Sequence, residues 1–169
     1  WRDSTTIPGT IGSTIGTSGQ VLQSTGGIAA WVTPGVGWRL FHDTSQALAN
    51  GANTLAWNTE IFDTDGFHST LTSNTEVTIT SSGTYMLGAN VNFMTSGSTS
   101  QIHITKNTSA LVINTLFQNT PDYRLVVATL FNFGTSGDVL RVIAQPTGST
   151  NESRSQAEMT PIFWGWKVS

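Results

Sequence analysis

From residue 36 onward, apolar side chains recur at every second position, and short runs of Gly, Ser, Asn, Asp and Pro interrupt them. Period two is the repeat of a β-strand, whose successive side chains face opposite ways. The pattern predicts strands over Gly37 to His42, Thr54 to Trp57, Glu76 to Thr80, Thr84 to Phe93, Gln101 to Lys106, Ala110 to Leu116, Tyr123 to Phe133, Asp138 to Gln145 and Met159 to Val168. Between them stand turn formers such as Asn50-Gly51-Ala52-Asn53, Ser81-Ser82-Gly83 and Gly134-Thr135-Ser136-Gly137. Helical periodicity is nearly absent. Eight or more strands in a segment of this length fit an all-β jelly-roll β-sandwich. Within it Val77 and Ile79 share one face, as do Ile102 and Ile104, with Gln101, His103 and Thr105 opposite.

Residues 1–35 follow a different rule and are read as an extended stem or attachment segment ahead of a globular head at 36–169. Residues 6–17 are a Gly/Thr/Ile-rich tetrad repeated three times, with Ile7, Ile11 and Ile15 in register. In an extended chain a spacing of four keeps these three on one face. A lone strand could not bury them, whereas parallel copies could, so they are candidates for an oligomer stem. The alternative is a Gly/Thr linker with incidental Ile. Next comes Gly19-Gln20-Val21-Leu22-Gln23-Ser24-Thr25-Gly26-Gly27, with Trp31-Val32 following. This stretch resembles a short module of phage tail fibres and related virion appendages, found there between shaft and tip. Read from residues alone, it is a two-stranded hairpin turning at Gly26-Gly27.

Composition narrows the function classes. The 169 residues include 28 Thr, 18 Ser, 17 Gly and 11 Asn, while charged residues make up only 10%, against roughly 25% in an ordinary domain. With 37% apolar residues, six Trp and eight Phe, the chain has the material for a core and is not a disordered tail. Its net charge of −3 offers no electrostatic footprint for nucleic acid or an anionic membrane, and no apolar stretch is long enough to span a bilayer. There is no cysteine, so stability is expected from burial, hydrogen bonding and oligomerisation. The chain opens Trp1-Arg2-Asp3, so a processed product or a piece of something longer is expected.

The head carries a second resemblance. Phe62-Asp63-Thr64-Asp65-Gly66-Phe67-His68, then Glu76 to Leu87 with Gly83 and Tyr85 in a Gly-x-Tyr element, the Gly137-Asp138 step into an apolar strand, and closing Phe163-Trp164-Gly165-Trp166 resemble the globular head of complement's first component and its tumour necrosis factor superfamily relatives. Departures are Val77 and Leu87 where that family has Phe, Ala89 where it has an aromatic, and a longer loop from His68 to Asn74. The resemblance implies a ten-stranded jelly roll assembled as a homotrimer, often on a fibrous stalk. Tyr85, Leu87, Phe163, Trp164 and Trp166 are then candidates for core or subunit-interface packing.

Candidate chemistry is sparse. His42, His68 and His103 sit in ordinary strand or turn sequence, and no nucleophile elbow accompanies the 46 serines and threonines. No pair stands out among the carboxylates for glycoside hydrolysis. Asp63 and Asp65 resemble the start of a calcium loop but lack its later ligands, so a turn held by Asp side chains is favoured over a metal site. Three copies of His103 on a symmetry axis are a further metal arrangement. No cofactor is expected. The loop residues Asn119, Asp122, Asn151 and Glu152 are candidates for touching a partner.

The expectation is therefore a non-enzymatic virion protein, the trimeric head of a fibre or spike on the particle surface. It would join other virion proteins through its N-terminal segment and adhere to a cell-surface glycan or receptor, or to an environmental surface. The alternatives are a capsid decoration protein whose N-terminal segment binds the coat lattice, and the head of a bacterial collagen-like surface glycoprotein.

Overall fold

The computed structural model describes residues 21–25, 28–32, 35–93, 99–108, 110–118, 123–147, 151–153 and 160–169. The chain divides into two compact units, Trp1–Val36 and Gly37–Ser169. In the first, β1 (Val21–Thr25) pairs antiparallel with β2 (Ile28–Val32), Thr25 opposite Ile28. That register leaves a two-residue connection, the hairpin length that Gly-Gly permits. Leu22 lies opposite Trp31, and both are exposed. Ile7, Ile11 and Ile15 lie outside the described residues.

The second unit is an all-β jelly-roll sandwich of two antiparallel sheets. Its strands are β3 (Gly37–Phe41), β4 (Gln46–Leu48), β5 (Asn53–Thr54), β6 (Thr59–Asp63), β7 (Val77–Thr78), β8 (Gly83–Phe93), β9 (Thr99–Lys106), β10 (Ala110–Gln118), β11 (Tyr123–Phe133), β12 (Val139–Thr147), β13 (Asn151–Ser153) and β14 (Ile162–Lys167). The five-stranded sheet runs β10-β9-β12-β5, with β7 also on β12. In the seven-stranded sheet β11-β8-β14-β3-β6 lie side by side, and the short pair β13-β4 adjoins the end of β8.

Alternation sends one face of each sheet inward. Leu40, Tyr85, Leu87, Val91, Leu125 and Phe163 of the larger sheet meet Ile102, Ile104, Leu140 and Val142 of the smaller, all of them buried. Aromatic rings fill one end. Trp38 lies 4.9 Å from Phe67 and 5.6 Å edge-on from Phe163, and Tyr85 is 5.5 Å edge-on from Phe133, measured between ring centroids. The Tyr85 hydroxyl donates to the Ser81 carbonyl at 2.9 Å, which satisfies the one polar atom this ring brings inside. Gly165 is required by the same cluster, because a Cβ there would stand 2.2 Å from the Trp38 ring.

Several strands depart from the pattern-based expectation. The Thr54 to Trp57 segment pairs only over Asn53–Thr54, yet Leu55 and Trp57 are buried beyond the ladder. The closing strand begins at Ile162, just after Pro161, which has no N–H to give a ladder. Asn151 and Glu152, expected in a loop, stand in β13 opposite Leu48 and Ala47. That strand is made by edge pairing and not by an alternating pattern of its own.

Candidate functional site

The outward face of the larger sheet is built row by row from the strand register. Leu130 on β11 lies opposite Met86 on β8, which lies opposite Trp166 on β14. The next row runs Ala128, Gly88, Trp164, Arg39 and Phe62. A third runs Val126, Asn90, Ile162 and Phe41. Side chains on these rows sit within contact distance across strands. Their exposure is unusual for apolar groups: Leu130 62%, Val126 59%, Met86 47% and Trp166 41%, with Ile61 of the neighbouring β6 at 53%. The surface is locally ordered. Trp166 meets Phe62 edge-on at 5.9 Å, and the Trp164 ring lies on Gly88, where a Cβ would approach it to 2.6 Å. Arg39, Phe41, Ile61 and Ile162 border a shallow depression of about 250 Å³ in the same face.

Of the five residues expected in core or interface, Tyr85, Leu87 and Phe163 point inward and are fully buried. Trp164 and Trp166 share the opposite face of β14, the first half-buried and the second exposed. Met86, Val126 and Leu130 are the surface positions that pattern reading did not single out. Their signal lay in strands apolar on both faces, as at Met86-Leu87, Val126-Val127 and Leu130-Phe131, because a strand covered on both sides reads as a near-continuous apolar run.

The smaller sheet is different. Its outward positions on β9 are Gln101, His103 and Thr105, and on β12 Arg141, Ile143 and Gln145. An open depression of about 440 Å³ lies here, bordered by Thr54, His103, Thr105, Thr108, Arg141 and Ile143. The Arg141 guanidinium donates to Glu76 through Nε at 3.1 Å and also through Nη2, while Nη1 donates to the Asn107 carbonyl at 2.7 Å. Burial holds His103 below the ordinary histidine range.

The remaining candidates are placed as follows. Asp63 closes its turn by accepting backbone N–H bonds from Asp65 at 3.2 Å and Phe67 at 3.0 Å on one oxygen, and from His68 at 2.8 Å on the other. Asp65 accepts from the Thr80 hydroxyl at 2.6 Å. Both carboxylates are thus engaged by the fold around Gly66, whose φ of +69° suits glycine. His68 bonds Glu60 through Nδ1 at 2.9 Å and the Asn74 carbonyl through Nε2 at 3.2 Å, so neither nitrogen is left to activate a nucleophile. His42 spends Nδ1 on the Ala56 carbonyl at 2.7 Å. His103 faces outward on the smaller sheet, on the other side of the sandwich from the apolar rows. Among the described residues no three His, Asp or Glu side chains are grouped to hold a metal. Asn119 and Asp122 lie outside the described residues.

The solved structures that the chain resembles share this architecture. Murine APRIL superposes with a TM-score of 0.62 at 12% identity, over 78% of this chain and 98% of that one. The globular domain of zebrafish complement 1qA gives 0.58 at 9% identity, over 79% and 98%. Eiger TNF from S. frugiperda gives 0.58 at 15% identity, over 80% and 94%. The head is a jelly roll of the TNF and complement 1q kind. Identity this low speaks for the fold alone. No protein-family model and no curated sequence matches the chain.

Proposed function

We propose that this chain is a non-enzymatic phage structural protein, the trimeric head of a fibre or spike on the virion surface that adheres to a glycan or receptor. The observation that carries the reading is the apolar outward face of the larger sheet. Contiguous exposed apolar surface marks an association site, and the occupant that fits is a second copy of the same chain. Closed rotational symmetry lets one such face serve each protomer in turn, and three copies are what the family resemblance implies. The phage-fibre resemblance of residues 19–32 supports attachment to other virion proteins through residues 1–35.

The mechanism of adhesion is multivalent. Three weak sites on one rigid head gain avidity because the second and third contacts form intramolecularly. The full chain, fluorescently labelled and mixed with a panel of bacterial strains, is expected to sediment with the cells of at least one. Binding to none contradicts adhesion. Antibody labelling of intact particles separates a fibre or spike, present at a few positions, from a decoration protein spread over the coat lattice.

A further inference from the structure

The depression on the smaller sheet has the makings of a ligand site. Thr54, Ile143 and His103 form one row across β5, β12 and β9, and Arg141 and Thr105 form the next. Neighbouring strands stand roughly 4.8 Å apart and same-face residues roughly 6.7 Å apart along a strand, so Thr54 and His103, on either side of Ile143, stand far enough apart to bracket one pyranose ring. Its volume of about 440 Å³ falls in the range of small-molecule sites, roughly 300–1,000 Å³.

The hydrogen-bonding groups there have capacity to spare. No described residue bonds the His103 ring or the Thr54 and Thr108 hydroxyls, and the Thr105 hydroxyl reaches only the Arg141 carbonyl, at 3.5 Å. A neutral imidazole offers one donor and one acceptor, and each hydroxyl offers both, which is the mixed character a sugar hydroxyl requires. Burial favours that neutral form of His103. The charges are already matched. Glu76 holds the Arg141 guanidinium on two of its nitrogens, and Lys106 is bound to Asp138 at 3.0 Å. An anion entering here would meet the Glu76 carboxylate along with the arginine, which argues against an acidic ligand. Ile143 and Ala52 supply the apolar patch against which the C–H face of a sugar can lie.

We propose that this depression binds one uncharged sugar residue, with His103, Thr54 and Thr105 bonding its hydroxyls and Ile143 beneath its C–H face. The assignment deepens the adhesion reading above and rests on it. It puts the sugar contacts on the polar sheet and leaves the apolar sheet for self-association.

The test is an NMR titration of the full chain with methyl glycosides of glucose, galactose, mannose and N-acetylglucosamine, with N-acetylneuraminate as the charged comparison. At least one neutral glycoside is expected to shift the His103 ring signals saturably, with half-effect on the order of millimolar, while His42 and His68 stay unmoved. Thr54→Val with Thr105→Val, shape-preserving changes on the sheet surface, should weaken that binding at least tenfold, with signals outside the depression unchanged. Saturable binding of a glycoside with His103 unmoved, equal binding by the double variant, or a preference for N-acetylneuraminate would each overturn the site and leave adhesion standing. Binding through His103 by a protein that adsorbs to no cell would overturn adhesion alone. No saturable binding of any sugar overturns the site outright.

Discussion

Outward positions on β9 and β12 read Gln101, His103, Thr105, Arg141, Ile143 and Gln145, whereas those on β11, β8 and β14 include Val126, Leu130, Met86, Trp164 and Trp166 at the centre, with Arg124, Asn90 and Asn132 among them. Both sheets turn apolar faces to one core, so the core does not explain the difference. An antiparallel sheet with one face in water alternates apolar and polar residues, and β9 and β12 of the smaller sheet follow this at these positions with Ile143 as the exception. The larger sheet breaks the rule over three adjacent strands. Its outer face has the apolar character of an association surface, whereas β9 and β12 present mostly polar groups outward. In a head without disulfides, burying that face between subunits would add to a modest single core.

Charge placed on each face in turn separates the two sheets most forcefully. Leu130→Asp with Met86→Asp sets like charges together on the proposed association surface, a cost of several kcal/mol. Sedimentation velocity should then show monomers, whereas Gln101→Glu with Gln145→Glu on the other face leaves the assembly intact. Equal behaviour of the two pairs would mean that the faces are equivalent.

The shared core sets the next scale. Phe163→Ala removes a fully buried ring touching both Trp38 and Trp57, and should cost about 3–5 kcal/mol in chemical denaturation. Gly165→Ala drives a methyl into the Trp38 ring and should cost about 1–3 kcal/mol, the range for overpacking. Such losses should be global, because Trp38 and Phe163 belong to the end of the core that both sheets close over.

Smaller effects separate the faces by pH. The His103 pKa in the fold lies below its ordinary 6.5 because burial disfavours the charged ring. Its contribution to stability is present above pH about 6.5 and is lost as pH falls through the depressed folded value, because the unfolded chain binds the proton first. Asp138 follows the same sign in the acid range. Bonds from Asn107 and then Lys106 lower its pKa, so its contribution is present above about pH 4 and lost as pH drops through the folded value. Denaturation of His103→Gln should show a flatter profile between pH 5 and 7, roughly, than the parent.

Much of this architecture was legible in the chain. Period two, punctuated by turn residues, located the long strands around Tyr85, Ile104, Val127 and Val142, and the family resemblance implied the jelly roll. The short strands Gln46–Leu48, Thr59–Asp63 and Asn151–Ser153 were not anticipated. Two span only three residues, too few to show a period, and the third carries Glu60 and Asp63, residue types depleted in strands. The apolar outer face was half legible. Trp164 and Trp166 stood among the candidates for core or interface packing, but joining them to Met86 and Leu130 needed the register of β8 with β11 and β14. The depression was not legible at all, because Thr54, His103 and Arg141 are far apart in sequence and only the pairing of β5, β12 and β9 brings them together.

Sedimentation equilibrium across a range of concentrations reads the solution mass of the full chain directly. The apolar face predicts self-association, which the family resemblance sets at about three times the 18.1 kDa protomer, dissociated by the Leu130→Asp and Met86→Asp pair. A parent protein that stays monomeric at every concentration would contradict it.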